Sequence, residues 1–188
     1  MPDLTKSEQR AAAQAARKAI PDNLRKQYNT TICSRIAGHP AVKNAKIVMS
    51  YLAFAGEVDL DELHEKLKAQ RVKLCYPHCG ENGYMQPLSP KDENPCESGK
   101  FGIMTPVAEL SDVIEPEDID VVLTPCVAFD ASRLRLGWGG GYYDRFLPRC
   151  PQAVSIAPAY EVQYVDNVVS DHPWDAVLDA VATELRWY

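Results

Sequence analysis

The sequence predicts an α/β fold: a three-layer αβα domain built on a mainly parallel sheet. Three observations carry this prediction. Short β-branched, apolar runs alternate with helical stretches, the pattern of strand–helix–strand units. One run, Asp118 to Thr124 (DIDVVLT), is nearly continuous in apolar residues, as strands covered on both faces are. The chain has 188 residues, 46% apolar and 24% charged. That is enough for one domain burying roughly two thirds of its unfolded surface. No repeat, linker or second domain is visible, so residues 1–188 read as a single domain.

Lys6 to Lys18 reads as a helix, rich in alanine and without Gly or Pro. Thr5 with Glu8 three residues on resembles a capping box. Pro21 opens a second helix to about Ile36, ended by Gly38 and Pro40. Lys46 to Leu52 is a β-branched strand. Asp59 to Gln70 is an amphipathic helix with Leu60, Leu63 and Leu67 on one side. Val72 to Tyr76 is the next strand. From His78 to Val113 glycines, prolines and charges dominate, which reads as loops and hairpins over a site, with a short strand at Tyr84 to Leu88. After the strand at Asp118 to Thr124 come a glycine-rich turn and helix, Gly137 to Leu147. Strands at Gln152 to Ile156 and Trp174 to Thr183 complete the pattern.

The formal net charge is −6, so no overall basic field attracts nucleic acid or an anionic membrane surface. No apolar run approaches the ~20 residues that span a bilayer. Met1 to Ile20 is charged and lacks the apolar core of a secretory signal. Cys33, Cys75, Cys79, Cys96, Cys126 and Cys150 are scattered, which reads as reduced thiols in a cytoplasmic protein. Cys75, His78 and Cys79 offer the outline of a metal site, but the paired C-x-x-C spacing is missing.

The segment Phe129 to Leu147, FDASRLRLGWGGGYYDRFL, carries the chemistry. Gly137, Gly139, Gly140 and Gly141 fall within five positions, after a buried strand and before an aromatic-rich helix start. Glycines let a backbone approach a ligand closely, and successive N–H groups at a helix start bind anions. Arg135 just upstream can add a bidentate phosphate contact. Asp144, about one turn into the helix, can hold Mg²⁺ against such phosphates. A plain glycine turn closing a strand, with Asp144 a first-turn helix residue, stays open as the alternative. A dinucleotide fingerprint does not fit, because Tyr142 stands where glycine or alanine is needed. No G-K-[ST] follows, so the segment is not a P-loop.

RLGWGGGYYDRFL closely resembles the signature of the 5-formyltetrahydrofolate cyclo-ligase family, also called methenyltetrahydrofolate synthetases. The resemblance spans nearly the whole chain. Lys6, Arg10 and Arg17 look like the family's opening basic helix. SYLAFAGEVDL resembles its first strand and the turn with a substrate-binding glutamate, here Glu57. FGIMTP, DVVLTPCVAFD and DHPWDAVLDAVATE resemble its central element, the strand feeding the glycine loop, and its closing motif. Family members usually carry glycine at the positions of Cys126 and Arg133, an acid at Thr105, and histidine or asparagine at Trp174.

The resemblance implies an ATP- and Mg²⁺-dependent ligase that converts 5-formyltetrahydrofolate to 5,10-methenyltetrahydrofolate, with small-molecule partners and a monomeric chain. Lys6, Arg10 and Arg135 are then the ATP-phosphate contacts, with the backbone of Gly137, Gly139, Gly140, Gly141, Tyr142 and Tyr143. Arg135 and Asp144 carry the chemistry, and Asp144 and Asp175 hold Mg²⁺, with Asp179 the alternative second ligand. Leu52, Glu57 and Trp138 match substrate contacts, and Trp138 and Tyr142 offer faces for stacking. His172 has no matching role. Bland readings stand beside these: a solvated basic face for Lys6 and Arg10, a strand-end charge for Asp175, a helix-start charge for Glu57. Two rival functions also stay open, a folate or nucleotide binder without turnover and a sugar-phosphate isomerase on a related fold.

Overall fold

The computed structural model describes residues 4–91, 96–99, 102–170 and 175–188. Its helices are α1 (Lys6–Lys18), α2 (Asp22–Ala37), α3 (Pro40–Asn44), α4 (Asp61–Ala69) and α5 (Tyr142–Phe146). The strands are β1 (Ile47–Met49), β2 (Lys73–Cys79), β3 (Met85–Pro90), β4 (Cys96–Ser98), β5 (Met104–Pro106) and β6 (Ser111–Val113). They continue with β7 (Val121–Leu123), β8 (Ala128–Phe129), β9 (Arg135–Leu136), β10 (Val154–Pro158) and β11 (Ala180–Ala182).

Among the described residues a seven-stranded sheet runs in the order β11-β10-β7-β1-β2-β3-β6. The first five strands are parallel, and β3 and β6 add an antiparallel edge. Side chains alternate between the faces, as the pleat requires. Val48, Val121 and Leu123 pack with Ile32, Ile36, Leu63 and Leu67 of α2 and α4. Met49 and Val122 point the other way, against Phe146 of α5 and Cys150. The sheet is therefore covered on both sides by helices, as the hydrophobic pattern of Asp118 to Thr124 implied.

The elements match the sequence closely at the start of the chain. Thr5 Oγ1 accepts from the Glu8 N–H at 3.3 Å, and Glu8 Oε2 accepts from the Thr5 N–H at 2.8 Å. That reciprocal pair closes the capping box. Pro40 does more than stop α2. It opens α3 at a position whose N–H has no helical partner, so the missing donor costs nothing.

Three corrections follow. The helix after the glycine loop is α-helical only through Phe146, then tightens to a 3₁₀ turn over Leu147–Arg149. Pro148 has no N–H to return to the carbonyl of Asp144, so α-type bonding stops there. The last strand covers Ala180–Ala182 rather than beginning near residue 174, because the chain before it pairs elsewhere, with Val177 bridging Leu134. Trp174 and His172 lie outside the described residues. A small hairpin of β8 and β9, hidden in the sequence by its two-residue strands, launches the glycine loop.

Candidate active site

Strand order reverses between β1 and β7. From β1 the chain winds outward to β2, and from β7 it winds the other way to β10 and β11. In parallel sheets such a switch leaves a crevice beyond the carboxyl ends of the two strands, because their exits part to opposite faces. The segments leaving β1 (Tyr51, Leu52, Phe54, Glu57) and β7 (Pro125, then the glycine loop) line one cleft of about 680 Å³.

One end of the cleft gathers charge. Lys6 and Arg10 sit one helical turn apart on α1, and both line it. Lys6 Nζ is 2.8 Å from Asp175 Oδ2, which also accepts from Ser170 Oγ at 2.9 Å. Arg10 Nε donates to the Gly137 carbonyl at 2.8 Å. Arg135 Nη2 lies 3.1 Å from Asp144 Oδ1. The same oxygen accepts the Ala176 N–H at 3.3 Å. That bond draws Asp144 to the residue after Asp175, so two carboxylates distant in sequence share one place. Within the loop, Gly139 has φ +102° and Gly141 +62°, conformations that a side chain opposes. Two buried donors beside the loop, Arg135 Nε and the Tyr143 hydroxyl, have no hydrogen-bond partner among the described residues. Buried donors without acceptors are costly, and an anionic ligand would satisfy them.

The other end is aromatic. Trp138 Nε1–H donates to Glu57 Oε1 at 2.8 Å, and the Phe54 N–H donates to Glu57 Oε2 at 3.0 Å. Phe54 meets the Trp138 ring edge-on at 5.8 Å. Burial pushes the Glu57 carboxyl up from its ordinary value, while these two hydrogen bonds and the charge of Arg17 pull it back. Trp138 remains 40% exposed, with its ring available in the cleft. Tyr142 lines the wall and donates to the Gly80 carbonyl at 3.3 Å.

The residues that the family resemblance assigns to phosphate, folate and Mg²⁺ contacts all line this cleft, except Asp179. Asp179 lies apart from the cleft, where Oδ2 accepts from the Ser155 N–H at 2.8 Å and from Ser155 Oγ at 2.7 Å. It joins β10 to the approach to the last strand and does not line the cleft. Among the described residues no group of three or more His, Cys, Asp or Glu could hold a metal, so Cys75, His78 and Cys79 form no such site. Cys75 is buried in the sheet. Asp144 and Asp175 both line the cleft, and Mg²⁺ usually takes one or two carboxylates and completes its shell with water and phosphate oxygens.

Sequence reasoning missed Phe54 and Arg145, both in the cleft wall. Phe54 stands inside the SYLAFAGEVDL stretch and was legible by its neighbours. Arg145, beside Asp144, stacks on Tyr142 at 5.8 Å and bonds the Gly140 carbonyl. His78 stood out in the sequence only as a metal ligand beside Cys75 and Cys79; β2 carries it to the cleft by running past Tyr76 to Cys79. Thr105 bonds the Pro77 carbonyl at 3.0 Å, tying β5 to that strand.

The model of the 5-formyltetrahydrofolate cyclo-ligase family matches residues 3–184. The chain is 32% identical to the 5-formyltetrahydrofolate cyclo-ligase of Haemophilus influenzae over 140 residues, 72% of this chain and 74% of that one. It is 30% identical to the Escherichia coli protein of the same name over 171 residues, 89% of this chain and 93% of that one. The NMR structure of Aquifex aeolicus 5,10-methenyltetrahydrofolate synthetase superposes with a TM-score of 0.84 at 31% identity, covering 98% of this chain and 92% of that one. With its sequence and its fold both matched, the chain belongs to the 5-formyltetrahydrofolate cyclo-ligase family.

Proposed function

We propose that this protein uses ATP and Mg²⁺ to convert 5-formyltetrahydrofolate to 5,10-methenyltetrahydrofolate, releasing ADP and phosphate. The observation that carries the reading is the two-ended cleft. Cations, glycine-loop backbone and paired aspartates fill one end, and Glu57 with Trp138 fills the other. An isomerase of sugar phosphates needs the first end only, and a folate binder the second only.

The chemistry explains why both are needed. A formamide oxygen is a poor leaving group. It attacks the γ-phosphorus of ATP, the bond to ADP breaks, and the formyl oxygen becomes a phosphate ester. N10 then attacks the activated carbon, loses its proton, and the C–O bond breaks to release phosphate. Phosphoryl transfer of this kind depends on positioning and charge neutralisation. Lys6, Arg10 and Arg135 supply cations, and Arg135 Nε is a donor already desolvated. Asp144 and Asp175 would hold Mg²⁺, which lowers the repulsion between the triphosphate and these carboxylates. Glu57 would accept from pterin N–H groups, with Trp138 and Leu52 against the ring. Six cysteines without a disulfide support a cytoplasmic location.

The test mixes pure protein with ATP, Mg²⁺ and 5-formyltetrahydrofolate and follows the absorbance of the methenyl product. Product should form with ATP and not without it. No product above a heat-killed control, across several preparations, overturns the reading.

A further inference from the structure

Behind the aromatic end of the cleft, α1 buries a charge that the proposed reaction does not use. Arg17 is 2% exposed and is among the largest fully buried side chains. It follows Gln9 and Ala13 on the buried stripe of α1. A buried guanidinium is expensive to desolvate, so its partners define what it does. Arg17 Nη2 donates to the Ala55 carbonyl at 2.7 Å, and Nη1 to the Cys126 carbonyl at 3.4 Å. Its Cζ lies 5.5 Å from the centroid of the Trp138 ring. Arg25 braces it from α2, donating to the Arg17 carbonyl at 2.9 Å and to the Gly56 carbonyl at 3.4 Å.

These contacts meet at one turn. Ala55 has φ +47° and Gly56 +79°, two left-handed residues in a row. For alanine that conformation is disfavoured and persists only where the surroundings hold it. The arginine fork holds it, and Glu57 is the residue the turn delivers. The groups that face Glu57 are Arg17 from α1, Tyr51 after β1, Tyr143 from α5 and Cys126 after β7. Burial pushes the two phenols and the thiol up, leaving them neutral near pH 7, so Arg17 is the charged member of that set.

We infer that Arg17 is a positioning residue for folate recognition: from behind the cleft wall it supplies the positive charge facing Glu57, pins the turn that delivers Glu57, and sets the plane of Trp138. The inference rests on the folate reading of this cleft. Arg17 touches neither substrate. It acts through two residues that would.

The sign of the pH effect follows. Glu57 must be ionised to accept pterin N–H groups, so folate binding falls as pH drops through the Glu57 pKa. Removing the charge of Arg17 raises that pKa and moves the loss to higher pH.

The experiment compares wild type with Arg17→Gln and Arg17→Lys. The Trp138 indole N–H, assigned with a Trp138→Phe variant, is followed by NMR across pH in the protein without substrates. Its shift reports the ionisation of the Glu57 carboxylate it donates to. The Gln variant should titrate above wild type, and the Lys variant, which keeps the charge, near wild type. In parallel the folate KM of the Gln variant should rise on the order of tenfold while the ATP KM stays within about twofold. An unmoved indole midpoint in folded Arg17→Gln overturns the inference, and so does an equal loss toward both substrates. If Arg17→Gln does not fold, wild type and the Lys variant decide: the Arg17 Nε–H resonance must titrate with the Trp138 midpoint, and independent titration overturns the inference. Absence of turnover in wild type would sink the folate reading, while the NMR arm would still report whether Arg17 sets the Glu57 charge.

Discussion

At the scale of single residues, the charged end is self-neutralised. Lys6 pairs with Asp175 and Arg135 with Asp144, each at ion-pair distance. A triphosphate entering with Mg²⁺ offers each member a new partner, the cation to the carboxylates and the phosphates to Lys6 and Arg135. Asp144→Asn and Asp175→Asn should therefore each raise the Mg²⁺ needed for half-maximal rate and lower the maximal rate. Both should stay folded, because neither change opens a core cavity. A magnesium titration at fixed ATP, with circular dichroism as control, measures this, and a wild-type curve would remove that residue from the metal site. Most of these residues were legible in the sequence because glycines, Arg135 and Asp144 lie within nine positions of one another. Asp175 was legible only by resemblance, since the Ala176 bond to Asp144 that brings it in belongs to tertiary structure. Asp179, four residues on, looked equivalent in sequence and serves Ser155 instead. The role of Arg17 was hidden for the opposite reason: its burial shows only when α1 is docked.

At the scale of elements, the glycine loop works by shape more than by its helix. α5 spans Tyr142–Phe146, a short helix whose dipole is small, so the N–H groups and the left-handed glycines carry the site. Gly139 is the sharpest case. Its φ of +102° excludes a side chain, and a Cβ would sit 3.5 Å from the Arg10 guanidinium. Gly139→Ala should cost about 1–3 kcal/mol locally. Apparent ATP affinity should weaken by about tenfold, and the melting temperature should fall by about 2–4 °C per kcal/mol of that strain. Steady-state kinetics with calorimetry separates the two, and a wild-type ATP dependence would show that the loop tolerates a different backbone. Parallel strands such as β7 were readable because burial on both faces writes a continuous apolar run. Hairpin β4–β5 falls in the stretch read as loops and hairpins over a site, but its three-residue strands and those of β8–β9 were too short to leave a period that places them.

At the scale of the whole molecule, the cleft takes residues from α1, from the segments after β1 and β7, and from the approach to β11. Occupancy should therefore tie these segments together. ATP with Mg²⁺ at a hundredfold excess over its Kd should add about 2.7 kcal/mol of stability. For a chain of this length that is a rise of about 5–11 °C in melting temperature. Hydrogen exchange should slow together in α1, in the glycine loop and around Asp175. Protection confined to the glycine loop would remove the other two from the site. The Lys6–Asp175 pair, 169 residues apart along the chain, has one more consequence. A ribosome delivers Lys6 early and Asp175 late, so this ion pair forms only once nearly the whole chain is made. If Asp175 serves Mg²⁺ as proposed, a chain cut short before it should turn over no ATP, which makes nucleotide use a late property of synthesis.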